Sequence, residues 1–211
     1  MKPALLVCVL LSLCGCASPS EIWVPEVSKL PAGWGRVDSS RFEGGDCPVL
    51  AGTYLSDPDE FEANAKEKEK TADSRGAFML YKLFPFHLGE NHVVPATEFA
   101  ADEAIFTLQQ NSASLLTLQR YFEAKKELQS STFSMQEGDF SCADGVLKFR
   151  KNHYYAMMEG QSLNFQVEVQ ASKADDGSLI MIWSRGPYRG NAPEKAKFVH
   201  VFYRFPPAPE K

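Results

Sequence analysis

The chain is 211 residues long, with 22 Lys and Arg against 27 Asp and Glu, 44% apolar residues and 12% aromatics. That balance excludes a wholly disordered, collagen-like or polytopic membrane protein, and the length gives room for one domain with a real core and hardly for two. A net charge of −5 without a long basic run also excludes nucleic acid as a partner, because too few phosphates could be neutralised.

In chain order the first predicted element is a targeting segment. Lys2 is followed by the apolar run Ala4 to Leu13 (ALLVCVLLSL), which is too short to span a hydrocarbon core needing about 20 residues and has the form of a signal-peptide h-region. Directly after it, Leu13-Cys14-Gly15-Cys16 is similar to the lipobox of bacterial lipoproteins, where an aliphatic residue and two small residues precede the cysteine that becomes the lipidated first residue. The resemblance implies that residues 1–15 are a lipoprotein signal peptide and that Cys16 carries acyl chains such as palmitate. Ala17 and Ser18 follow that cysteine, where an Asp would favour retention in the inner membrane. The resemblance therefore implies an outer-membrane destination, with the protein lipid-anchored on the periplasmic face.

Charge is uneven along the remainder. Residues 16–140 carry 11 basic and 20 acidic side chains, residues 141–211 carry 10 and 7, and the second half reads as a solvated sheet face. Cys8 and Cys14 leave with the signal and Cys16 is taken by lipid, so Cys47 and Cys142 remain. In an oxidising compartment such a pair predicts a disulfide, closing a loop of about 95 residues. A metal or redox pair would need a CxxC spacing that is absent.

Residues 16–45 hold Pro19, Pro25, Pro31, Gly33, Gly35, Gly44 and Gly45 with no sustained apolar period, and read as a tether. Trp23 and Trp34 are unusual for a spacer and are expected on the domain surface. A single β-rich domain is predicted over residues 46–206, with a tail at 207–211. It opens on a strand at Cys47 to Tyr54, where Gly52-Thr53-Tyr54 is similar to the Gly-x-Trp signature of lipocalin-type barrels. The Cys47-Pro48 opening, with the later Cys142-Ala143-Asp144-Gly145, resembles small proteobacterial outer-membrane lipoproteins of unassigned function.

Ser56-Asp57-Pro58-Asp59-Glu60-Phe61-Glu62 followed by Lys66, Lys68 and Lys70 predicts a short polar helix, because an N-cap Asp, a first-turn Pro, early acids and late lysines suit the helix dipole. Ala77 to Phe84, without β-branched residues and ending at Pro85, reads as a second helical segment, with a strand as the alternative. Beyond Glu103 the period becomes two. Leu163, Phe165, Val167 and Val169 alternate with Asn164, Gln166, Glu168 and Gln170, as a strand with one wet face requires. Similar runs cover 104–110, 114–122, 126–134, 146–151, 154–159, 179–185 and 198–205, separated by turn chemistry at Asn111-Ser112, Glu137-Gly138-Asp139, Asp144-Gly145, Glu159-Gly160 and Asp175-Asp176-Gly177. The fold class is therefore mainly β: an antiparallel up-and-down meander, either a curled sheet or a lipocalin-like barrel, with one or two short helices near the N-terminal side.

No GxSxG, HExxH, Walker, GxGxxG or SxxK pattern occurs, so no catalytic residue, metal ligand set or cofactor is assigned. His87, Glu90 and His92 share a short segment that matches no zinc spacing. Arg185, Tyr188 and Arg189 form a possible binding loop, since two arginines around a tyrosine can pair with anionic groups and stack on planar ones. Aromatics at strand positions, including Trp183, Phe198 and Phe202, are expected in the core. A cleft gathering His153 or His200 with carboxylates would favour an enzyme. The expected role is a lipid-anchored envelope structural or interaction module, with a lipocalin-like carrier of an apolar ligand or a periplasmic enzyme inhibitor as alternatives. Its expected partners are the membrane, through the anchor, and an envelope protein or apolar ligand. The lipobox makes a direct prediction: fatty-acid labelling of the wild-type chain is lost in Cys16→Ser, and undiminished labelling in that variant refutes the anchor.

Overall fold

A computed structural model describes residues 29–43, 45–62, 105–122, 126–158, 161–187 and 199–209. Among these the chain forms eleven strands and no helix: β1 (Gly52–Leu55), β2 (Asp59–Glu62), β3 (Ile105–Ser112), β4 (Leu115–Phe122), β5 (Glu127–Ser134), β6 (Phe140–Ala143), β7 (Val146–Phe149), β8 (Asn152–Met158), β9 (Gln161–Lys173), β10 (Leu179–Pro187) and β11 (Val199–Phe205). The ladders between them are antiparallel. The smaller sheet runs β1-β3-β4-β5, and the larger runs β2-β11-β10-β9-β7-β6 with β8 also beside β9. The mainly-β antiparallel meander expected from the alternating runs is present, and it is a curled sheet that does not close into a barrel.

The two sheets share one core because each strand points alternate residues inward. Tyr54, Phe106, Leu108, Leu116, Leu118 and Phe133 come from the smaller sheet, and Leu147, Phe149, Val169, Leu179, Met181, Tyr203 and Phe205 from the larger. Ring contacts span the gap: Phe106 meets Phe205 edge-on at 5.3 Å between centroids, and Phe133 meets Phe149 at 5.6 Å. Each of these large apolar side chains contributes roughly 1.5–3 kcal/mol on burial. The sheets are also joined through backbone, since β1 pairs β3 on one side while Leu55 N donates to Pro206 O (2.9 Å) and Ala208 N to Thr53 O (2.8 Å) on the other. Residues 207 and 208, grouped with the tail by sequence, thus belong to the folded unit.

The structure differs from the sequence reading at several elements. The helix predicted from Asp57 is a strand at its start: Asp59–Glu62 is β2, paired with β11 so that Phe61 lies opposite Phe202 and Asp59 opposite Arg204. A helix there would have been polar on nearly every side, whereas the free edge of β11 satisfies the backbone and Arg204 Nη1 meets Asp59 Oδ2 at 3.5 Å. The lysines at 66–70 and the segment 77–84 lie outside the described residues. The first strand begins at Gly52 rather than Cys47, because Pro48 and Leu50 bond the Gln110 side chain of β3 rather than its backbone ladder. Gln110 Oε1 accepts from Leu50 N (2.7 Å), Gln110 Nε2 donates to Pro48 O (3.1 Å), and Tyr54 OH donates to Leu50 O (2.7 Å). The β3–β4 turn is at Ala113-Ser114, with Ser112 opposite Leu115, and the four-residue β6 was hidden between two turn signals.

The segment before Cys47 is packed. Leu30, Trp34 and Val37 lie against Ile182 and Phe202 on the outer face of the larger sheet. Asp38 N donates to Lys173 O (2.7 Å) and Asp175 N to Arg36 O (2.8 Å), which fastens this stretch to the β9–β10 turn. Residues 45–49 then fold back on residues 40–43, with Phe42 N donating to Cys47 O (3.1 Å) and Val49 N to Ser40 O (3.3 Å). Cys47 bonds Cys142 of β6 with 4.9 Å between Cα atoms. Beside it, Asp144 (φ 52°) and Gly145 (φ 78°) make the left-handed two-residue turn that their dipeptide signalled. Gly145 N donates to Asp46 O (3.0 Å), and a Cβ at Gly145 would overlap the Arg41 guanidinium.

Alkylation of the unreduced protein is expected to leave Cys47 and Cys142 unmodified. Removing the pair in Cys47→Ala/Cys142→Ala should lower stability by up to about 4–5 kcal/mol in denaturant titration, the loop-closure value. Free alkylation of both thiols in the unreduced protein would refute the bond.

Candidate functional site

The densest polar grouping among the described residues lies on the outer face of β9, β10 and β11. Glu168, Gln170, Ser172, Ser184 and His200 are buried there, although Glu168 and Gln170 belong to the alternating set read as a wet face. The correction has a visible cause in the sequence. Leu179 to Trp183 is an unbroken apolar run, so β10 is apolar on both faces, as a strand covered on both sides must be. Leu30, Trp34 and Val37 supply part of that cover.

Register sets three of these residues in one row, with Ser184 opposite Glu168 on β9 and opposite His200 on β11. Ser184 Oγ and His200 Nδ1 are 3.0 Å apart, and both side chains are wholly buried. Burial lowers the pKa of His200, which keeps the imidazole neutral at pH 7. Glu168 is supported separately: Gln170 Nε2 donates to its Oε1 (3.0 Å) and Lys151 Nζ stands 3.3 Å from its Oε2. A bulge puts Lys151 there. Lys148 is opposite Gln170 and Asn152 is opposite Val167, so residues 149–151 face the shorter stretch 168–169 and the extra residue turns the chain between β7 and β8.

A buried serine bonded to histidine, with a carboxylate nearby, has the components of a nucleophilic triad but not its order. In a triad the imidazole stands between serine and acid, so that the acid orients the base. Here Ser184 occupies the central strand and Glu168 is committed to Lys151 and Gln170, which leaves the carboxylate on the far side of the serine from the imidazole. Ser184 and His200 are sealed from solvent and paired across β10 and β11, while Glu168 is paired separately with Gln170 and Lys151 beside β9.

Of the residues singled out by sequence, Cys47 and Cys142 are brought together. Arg185 falls in β10 opposite Val167 and Val199, while His153 falls in β8 opposite Gln166 and is not in the row. Cys16, His87, Glu90, His92, Tyr188 and Arg189 lie outside the described residues. Among the described residues no group of three His, Cys, Asp or Glu could hold a metal ion, and no helix is long and apolar enough to cross a membrane. No protein-family model, curated protein or solved structure matches the chain.

The buried imidazole makes stability depend on pH with a definite sign. A histidine whose folded pKa lies below its unfolded value leaves the unfolded chain binding more protons, so stability falls as pH drops through that range. Asp38 and Asp176 have lowered pKa values, Asp38 chiefly through bonds from Ser40 and Asp176 despite the opposing effect of burial, and both stay ionised at pH 5. Between pH 7.5 and 5 the thermal midpoint is therefore expected to fall, and to fall less in His200→Gln. An identical decrease in both proteins would remove His200 as its source.

Proposed function

We propose that the protein is a lipid-anchored module of the bacterial cell envelope, held to the periplasmic face of the outer membrane through Cys16 and acting by interaction rather than by catalysis. The lipobox supports the anchor, and the Cys47–Cys142 bond fits an oxidising compartment. The observation that carries the interaction reading is the filled concavity. Tyr54, Phe106, Phe133 and Phe205 are fully buried where the two sheets face each other, so the space in which a lipocalin-like carrier would hold an apolar ligand is occupied by the protein's own side chains.

Both halves of this reading are testable. Wild-type protein is expected to sediment with outer membranes, and Cys16→Ser to be released with the soluble periplasm. A fluorescent apolar probe, N-phenyl-1-naphthylamine, is expected to show no saturable binding to the purified protein. Saturable binding at one probe per chain would favour the carrier instead.

A further inference from the structure

A β-sheet edge invites pairing, and folded chains ordinarily blunt their edges with charge, proline, bulges or brevity. Among the described residues five strands have a ladder on one side only: β1, whose other side takes residues 206–208, β8, which follows the bulge after β7, β2 and β6 in the larger sheet, and β5 in the smaller. The sequence of β2 contains Asp59, Glu60 and Glu62, and β6 has four residues and is tied down by Cys142. β5 has none of these devices. It runs for eight residues (ELQSSTFS), has neither charge nor proline between Leu128 and Ser134, and keeps unbroken register with β4 along its whole length.

The face that β5 shares with its neighbours is equally unguarded. Thr53 on β1, Thr107 and Gln109 on β3, Thr117 and Gln119 on β4, and Ser130 and Thr132 on β5 occupy its outward positions, all uncharged in a chain with 23% charged residues. They bond one another across strands, as in Gln109 Nε2 to Gln119 Oε1 (2.8 Å) and the Thr117 and Thr132 hydroxyls (3.3 Å). Leu128, at the open edge, is 59% exposed.

We infer that β5 is a self-association edge, pairing antiparallel with β5 of a second copy across a twofold axis to give one continuous eight-stranded sheet. Charge selects both the occupant and the register. A twofold antiparallel pair with matching faces must be centred on a residue, and the strand's middle leaves Ser130 or Ser131. Centring on Ser131 sets Ser130 against Thr132 of the other copy and brings the Lys126 end of each strand beside Gln136-Glu137 of the other, twice by symmetry. Centring on Ser130 would instead set Lys126 of each strand opposite Ser134 of the other and forgo that attraction. The edge offers main-chain hydrogen bonds for affinity, and its uncharged face adds no repulsion as the sheet is extended.

The test uses the full mature chain with Cys16→Ser, so that dimerisation is read without lipid-driven association and its failure is distinct from failure of the anchor. Analytical ultracentrifugation is expected to show a shift toward twice the monomer mass with rising concentration. Ser130→Lys/Thr132→Lys, at two exposed positions, sets lysines opposite one another and should leave the chain monomeric with an unchanged far-ultraviolet spectrum. Ser131→Cys lies on the axis and should yield a disulfide-linked dimer under mild oxidation. Leu128→Cys should not, because its two copies would stand about 20 Å apart along the pair. A monomer throughout the concentration series, a dimer indifferent to the double lysine variant, or equal cross-linking of both cysteine variants would overturn the proposal. Cross-linking of Ser131→Cys in cells to a different protein alone would replace the second copy with a foreign strand.

Discussion

Everything in this fold rests on the way β1 is shared. Four residues pair with β3 on one side and take the chain beyond β11 on the other, so two sheets that differ in size are bound along a common margin. That margin makes the inner faces meet, and Phe106 reaches Phe205 only across it. Tyr54 sits in the middle of β1 with its ring among the core aromatics and its hydroxyl on Leu50 O, and burial pushes its phenol pKa up. A side chain that is apolar along its body and satisfied at its tip suits this position, where the core meets an irregular turn of backbone. At the opposite margin β5 and β6 are linked by a short loop without forming a ladder, which is why the sheet curls without closing.

Much of this arrangement was legible because strand periodicity is local. The alternation in β4, with Leu116 and Leu118 inward between Thr117 and Gln119, can be read without knowing its neighbours. Asp144-Gly145 was legible for the same reason, since a left-handed two-residue turn is a demand on two residues alone. β2 was not legible: Asp57-Pro58 followed by acids satisfies the rules for a helix start, and what makes Asp59–Glu62 extended is the edge of β11, more than a hundred residues away. Propensity gives way where a waiting edge supplies backbone partners.

The candidate site shows a different limit. Period two tells which residues share a face but not whether that face is wet, and Glu168 and Gln170 were placed in solvent on that basis. The covering residues come from Leu30, Trp34 and Val37, in a stretch whose proline and glycine content reads as spacer. Polar side chains enclosed in this way are constrained in pairs, since removing Ser184 or His200 strands its partner without water to replace it. Lys151 has its side chain partly in solvent while it pairs with Glu168, so the Ser184–His200 pair is sealed whereas the Glu168 pair touches water at the bulge.

The packing of Leu30 has a mechanical consequence for an anchored protein. Composition suggests a leash running to residue 45, but the chain is already fastened to the sheet at Leu30, and Cys47 is bonded to β6. With lipid on Cys16, the span between bilayer and folded unit is the stretch up to Lys29, whose fully extended contour is about 45 Å at 3.3–3.6 Å per residue. Under the proposed anchor at Cys16, that radius would confine the domain to the layer next to the lipid headgroups. It would also raise the local concentration of two anchored copies toward each other, because both would be held in a thin slab rather than a volume.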